Sequence, residues 1–260
     1  MEIKKLAYAV LFLFVAFYAQ AQEENYQKES FIQDSDTLKY RIMYPKDFID
    51  TNQYPIVFFL HGAGERGADN ETQLTHGSAL FASEESLENF PAIVVFPQCP
   101  KEDYWSNAKV NRKSKPVSLK FKYHRKPTQA MHMVMQLVDE LVGKPFVKED
   151  QIYVMGLSMG GMGTYEILHR KPETFAAAIA ICGGGDEKGS EEFAKKVPLW
   201  IFHGAKDDVV DPKLSLEMAS KIIAYGGHPN VTIYSDANHN SWDSAFAEPE
   251  LLPWLFAQKK

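Results

Sequence analysis

Six short apolar runs punctuate the chain from Ile56 onward: "IVFFLHG", "AIVVFPQ", "IYVMG", "AAAIAICG", "LWIFHG" and "VTIYSD". The first five show almost no polar alternation. A strand exposed on one side alternates, whereas a strand covered on both faces reads as a continuous apolar run, so these five predict a parallel sheet between helical layers. Helical patterns lie between the runs. "PTQAMHMVMQLVDELV" has apolar residues at helical spacing, with Pro127 and Thr128 as start signals. "MGTYEILHRK" is closed by Pro172. "PKLSLEMASKIIAYGG" begins behind Asp211, carries Pro212 in its first turn and stops at Gly226 and Gly227, and "ELLPWLFAQ" is the last helical segment. Upstream, "KESFIQ" and "LKYRIMYP" flank the turn-like "DSD" and predict an antiparallel hairpin. The predicted fold class is α/β: one open, mostly parallel eight-stranded sheet with helices on both faces, without internal repeats or a second domain.

The first 21 residues stand apart from this pattern. Lys4 and Lys5 precede an apolar stretch from Leu6 to Phe17, and "YAQAQ" places small residues, Ala19 and Ala21, at the −3 and −1 positions. That arrangement predicts a signal peptide at 1–21, cleaved after Ala21, export to the periplasm or medium, and a single catalytic domain over 22–260. The stretch is shorter than the roughly 20 residues a spanning helix needs, so no stable membrane anchor is expected. A net charge of −6 argues against a nucleic-acid partner. The two cysteines, Cys99 and Cys182, sit at the ends of predicted core strands and are expected to be buried free thiols.

One segment breaks the charge pattern. From Ser106 to Pro127 the chain carries eight Lys or Arg and no acidic residue. This basic stretch, Lys109 to Lys126, reads as a solvated loop or short hairpin. Its functional alternative is an insertion beside the active site that binds an anionic substrate such as an acidic polysaccharide, with Lys120 and Lys122 as the residues to test.

The candidate chemistry centres on "VMGLSMGGMGTYEIL". Gly156-Leu157-Ser158-Met159-Gly160 fits G-x-S-x-G, a pentad common enough to be weak by itself. Its setting is stronger, because a predicted strand precedes Ser158 and a predicted helix follows. A sharp turn there aims a nucleophilic hydroxyl outward and brings the residues two before and two after it close together, so both must be small. Serine needs a base. Of eight histidines, His239 in "SDANHNSWD" lies on a polar loop after the last predicted strand. His61 and His203 end strands and read as structural, and His76, His124, His132, His169 and His228 are assigned no role. The base needs an acid to fix its tautomer, and "AKDDVVDP" offers Asp207 and Asp208, which chemistry alone does not separate; Asp211, before Pro212, reads as a helix cap. An oxyanion hole would use the N–H of Met159 and that of Ala63 in "LHGAGERG", with Gly64 as second choice. That loop has no Lys after its last Gly, against a phosphate-binding Walker pattern. No metal-binding motif and no cofactor site is apparent.

These motifs, in this order, resemble the α/β-hydrolase superfamily over nearly the whole chain beyond the leader. "FFLHGAGERGADN", "VVFPQCP", "FHGAKDDVV" and "HNSWD" are similar to secreted bacterial esterases near the carboxylesterase/phospholipase and dienelactone hydrolase families. The resemblance implies an acid in H-G-x-x-D-x-x-V, which favours Asp207, and a strand order that keeps Cys99 and Cys182 two or more strands apart. It also implies a loop-lined site with Trp105, Trp242 and Gly64 as substrate-binding candidates, and Glu65 and Arg66 either as an ion pair stiffening the oxyanion loop or as substrate contacts. The implied activity is a serine carboxylesterase acting on a small-molecule or polysaccharide ester, by resemblance an acetyl or feruloyl ester. A prolyl-oligopeptidase-type peptidase and a non-catalytic hydrolase-like binding protein are the alternatives. The sequence is silent on oligomeric state.

Overall fold

The side chains along each central strand alternate between two apolar layers, and that alternation explains the continuous runs. In β3 (Tyr54–Leu60), Ile56, Phe58 and Leu60 point into one core and Val57 and Phe59 into the other. The computed structural model describes residues 25–260, so the expected leader at 1–21 lies outside the described residues. The remaining strands of the main sheet are β1 (Gln27–Gln33), β2 (Asp36–Met43), β4 (Ile93–Pro97), β7 (Val147–Leu157), β8 (Ala177–Ile181), β9 (Leu199–Gly204) and β10 (Asn230–Tyr234). Their spatial order is β1-β2-β4-β3-β7-β8-β9-β10, eight strands as expected. The first hairpin is antiparallel, β2 runs antiparallel to β4, and every pair from β4 to β10 is parallel.

One face is covered by α3 (Gln129–Val142), α4 (Met159–Arg170) and α5 (Lys213–Ala224), through residues such as Met131, Val138, Tyr165, Leu168, Met218 and Ile222. The start signals act as expected in α3, where the Thr128 side chain accepts from Met131 N–H. At α5 the Asp211 carboxylate accepts from Lys213 N–H at 2.9 Å. The other face is covered by three short helices absent from the sequence expectation, α1 (Ser78–Ala82), α2 (Glu84–Asn89) and α6 (Trp242–Phe246), and by the expected α7 (Leu251–Ala257).

Because β3, β7, β8, β9 and β10 are parallel, the loops that follow them gather at one edge of the sheet. Residues 61–67, 158, 182–185, 205–211 and 235–241 are therefore brought together from distant parts of the chain. Two strands, β3 and β7, separate β4 from β8, so Cys99 and Cys182 lie far apart, both buried and both free. The basic segment forms a separate two-stranded antiparallel unit, β5 (Ala108–Asn111) with β6 (Ser118–Phe121), set against this same edge.

Candidate active site

Ser158 sits where β7 turns into α4, with φ 53 and ψ −114. A non-glycine residue holds such a backbone only when its surroundings impose it. The surroundings are tight indeed: a Cβ on Gly160 would lie 1.7 Å from the Leu60 carbonyl oxygen, and one on Gly156 would lie 2.5 Å from the Gly160 backbone. Both positions of the pentad therefore exclude any side chain. Cys182, at the end of neighbouring β8, also has positive φ, 40°, and the Ser158 N–H donates to Ile181 O just before it. The turn leaves Met159 as the first residue of α4, where an N–H has no intrahelical acceptor.

A single hydrogen-bonded chain runs from this serine. Ser158 Oγ lies 3.0 Å from His239 Nε2, and His239 Nδ1 lies 2.8 Å from Asp207 Oδ2. Asp207 is buried, whereas Asp208 is exposed and meets the site only through its backbone N–H, which donates to Asn238 Oδ1. The geometry thus puts Asp207, the acid that the resemblance favours, against His239 and leaves Asp208 outside that chain.

Asp207 is held from every side. Its Oδ1 accepts from Val209 and Val210 N–H, both at 2.9 Å, and its Oδ2 receives His203 Nε2 at 3.1 Å as well as His239. Burial alone would raise its pKa. The hydrogen bonds from His203, His239 and Val210 outweigh burial and keep the carboxyl well below the usual carboxylate range. His203 is itself fixed by Ser215 Oγ at 2.7 Å. His203 is structural, as expected, and its bond to Asp207 also positions that carboxylate; its place four residues before Asp207 is the sequence signal of this.

The loop after β3 is braced in a different way from that expected. Arg66 does not pair with Glu65 among the described residues. Its guanidinium donates to Ala63 O at 3.0 Å and to Asp103 O at 3.1 Å, and lies over the Tyr104 ring. Glu65 turns instead toward His61 and His76, at 4.0 and 3.9 Å. Ala63 and Gly64 both line the cavity above Ser158.

Burial pulls the His61 imidazole from 6.5 down to about 4, against the lesser effect of its hydrogen bond to Gly62 O. Its Nε2 accepts from Cys99 N–H at 3.0 Å, which fits the neutral ring. A group whose folded pKa is depressed contributes stability that is complete above its unfolded value and declines as pH falls toward the folded one. For His61 that window runs from 6.5 to about 4 and is worth about 3 kcal/mol. Asp207 acts in the same direction only below the ordinary carboxylate range. Urea titrations between pH 8 and 4 are expected to follow this slope, and His61→Gln to flatten it; an unchanged slope in that variant would contradict the assignment.

The cavity measures about 260 Å³ and is lined by residues that include Ser158, His239, Leu157, Met162, Val209 and Trp242. Of the two tryptophans named from sequence, Trp242 reaches the cavity, and its ring stands edge-on to His239 with centroids 5.5 Å apart. Trp105 does not. It is fully buried beneath the site, and its Nε1–H donates to His61 O at 3.1 Å. His76, given no role from sequence, forms part of the wall beside Trp242. Cys182, Asp207 and His239 offer ligand atoms within 4.8 Å of one another. Burial pushes the Cys182 thiol up and keeps it protonated, and the two others already bond each other, so the donor set suits a proton better than a metal. Among the described residues, no helix is long and apolar enough to cross a membrane.

Several known proteins share this architecture. The crystal structure of a thermostable esterase superposes with a TM-score of 0.81 and 31% identity, over 92% of this chain and 64% of that one. The bifunctional acetylxylan esterase/xylanase of Neocallimastix patriciarum is 31% identical over 84 residues, which are 32% of this chain and 12% of that protein. The chain thus spans less than two thirds of the length of either. A ferulic acid esterase from Anaeromyces mucronatus, solved with ferulic acid, shares the fold at 14% identity and a TM-score of 0.62, over 87% of this chain and 89% of that one. The profile of the phospholipase/carboxylesterase family matches residues 49–248. The chain belongs to that family, with the α/β-hydrolase fold.

Proposed function

We propose that the protein is an exported serine carboxylesterase whose domain over 22–260 removes short acyl groups, acetyl or feruloyl, from a polysaccharide. The observation that carries this reading is the unbroken chain from Ser158 through His239 to Asp207 on the floor of a small cavity. Ser158 Oγ attacks the ester carbonyl while His239 Nε2 takes its proton. Ionised Asp207 holds the Nδ1 proton and stabilises the imidazolium. The N–H groups of Met159 and Ala63, with Gly64 beside them, receive the oxyanion. His239 then returns the proton to the departing sugar oxygen, and water repeats the sequence on the acyl-enzyme.

The cavity supports a small acyl group: 260 Å³ is below the usual range of about 300–1,000 Å³ for drug-sized ligands. The acetylxylan esterase among the relatives supports acetyl esters, and the "YAQAQ" end of the leader supports export. Purified protein is expected to release acetate from acetylated xylan and to leave prolyl anilides intact. Cleavage of the anilides at rates equal to the esters would overturn the reading in favour of a peptidase.

A further inference from the structure

The β5–β6 hairpin has two different faces. Residues 110, 112 and 117 share one, and Val110, Arg112 and Val117 from it line the cavity with Ser158. Lys109 and Lys120 are directly paired across the strands on the other face, and Lys122 continues that row. Like charges set directly opposite destabilise a hairpin. None of the eight cations between Lys109 and Lys126 forms an ion pair among the described residues, so no direct contact offsets the repulsion. Arg125, partial burial, Lys109 and Lys120 together push the Lys122 ammonium below its ordinary value.

The hairpin is nonetheless held firmly. At its base the buried carboxylate of Glu166 accepts from Ser106 Oγ at 2.8 Å and Asn107 N–H at 2.6 Å, and Arg170 clamps Glu166 while donating to Arg125 O. Past its tip, Val117 N–H donates to Val209 O at 2.9 Å, on the loop that carries Asp207. A repulsive row of lysines is thus fixed in place on the hairpin face turned away from the cavity rather than left to swing apart in solvent. Unpaired cations on a rigid support are what a polyanion requires. Glu65 and His76 line the same cavity as Arg112, with His76 against Trp242 and 3.9 Å from Glu65.

Resting on the esterase reading, we propose that the hairpin selects acidic polysaccharide esters. Arg112 pairs with a uronate carboxylate close to the scissile ester, and Lys109, Lys120 and Lys122 attract the neighbouring uronates of the same chain. Arg112, rather than the lysines, is the specificity-determining residue, because it is the hairpin cation that reaches the cavity. Lys120 also borders a hollow lined by Asp186, Glu187 and Glu217, which weakens its pull on an anion.

The test compares acetylated glucuronoxylan with the same polymer after reduction of its carboxyl groups. The wild-type protein is expected to favour the acidic polymer by about tenfold in kcat/KM, through KM, with the preference fading at high salt. In Arg112→Gln the preference is expected to drop below about twofold, and in the Lys109/Lys120/Lys122→Gln variant to fall partway. Equal rates on both polymers, or a preference that survives Arg112→Gln, would overturn the proposal. Affinity electrophoresis of Ser158→Ala in gels containing either polymer reads the same selectivity without turnover. Retardation by the acidic polymer alone supports it, and equal mobility in both gels refutes it. Absence of hydrolysis of p-nitrophenyl acetate by the wild type would instead strike the esterase reading, which separates the two failures.

Discussion

Ser158→Ala is expected to lower kcat for p-nitrophenyl acetate by about five to six orders of magnitude, to near the background of the folded scaffold. The loss follows from geometry. With Oγ removed, His239 Nε2 has no proton to take, and a water molecule in that place lacks the enforced approach that the elbow gives the hydroxyl. Circular dichroism and thermal melting are expected to stay close to wild type, because Oγ makes no hydrogen bond other than the one to His239 among those described. Ser158→Gly is an informative companion. It is equally inactive, but it relieves the positive φ and is expected to melt above Ser158→Ala, with a gain of about 1 kcal/mol. Activity in Ser158→Ala above about one per cent of wild type would exclude the serine mechanism.

Asp207→Asn is expected to reduce kcat by about 10⁴-fold, while Asp208→Asn stays within about twofold. An amide in place of Asp207 turns a donor toward His239 Nδ1, so the ring carries its proton on Nε2 and cannot accept the one from Ser158. The same amide opposes the His203 Nε2–H, which must retreat to its other tautomer against Ser215. The Val209 and Val210 N–H groups keep a carbonyl acceptor, so the loop stays in place. Steady-state kinetics on both variants, with a fluorophosphonate to count reactive Ser158, check this. Equal losses in the two variants would mean that the loop, not the Asp207 carboxylate, sets the tautomer.

The sheet was legible because doubly covered strands leave a continuous apolar trace, and β3, β4, β7, β8 and β9 all leave one. The Ser158 turn was legible because Gly156 and Gly160 answer to hard-sphere contacts that allow no substitute. The helices Ser78–Ala82, Glu84–Asn89 and Trp242–Phe246 left no trace, since five or six residues are too few to display a period. Trp105 misled for another reason. Its setting "DYWSN" is polar and loop-like, but Ser106 and Asn107 turn their polar groups inward to buried Glu166, and the indole follows them under the site. Glu166 and Arg170 are an i,i+4 pair of a kind usual on exposed helix faces, and local spacing does not distinguish a buried one. Arg66 likewise donates to the carbonyls of Ala63 and distant Asp103 rather than pairing with its sequence neighbour.

The hairpin over the cavity has a bearing on how such enzymes diversify. It forms its own two-stranded sheet, contributes no strand to the main one, and is fastened at its base to α4 and past its tip to a single carbonyl, Val209 O. Phe121 packs against the main core, but residues 108–120 can be exchanged, lengthened or recharged without disturbing the register of any strand of the main sheet. On the selectivity proposed above, a lineage keeping this scaffold could move from acidic to neutral glycans by drift within a few hairpin positions, with Ser158, His239 and Asp207 under no pressure to change. Grafting foreign hairpins between Asn107 and Phe121 is accordingly an experimental route to a new substrate repertoire on this fold.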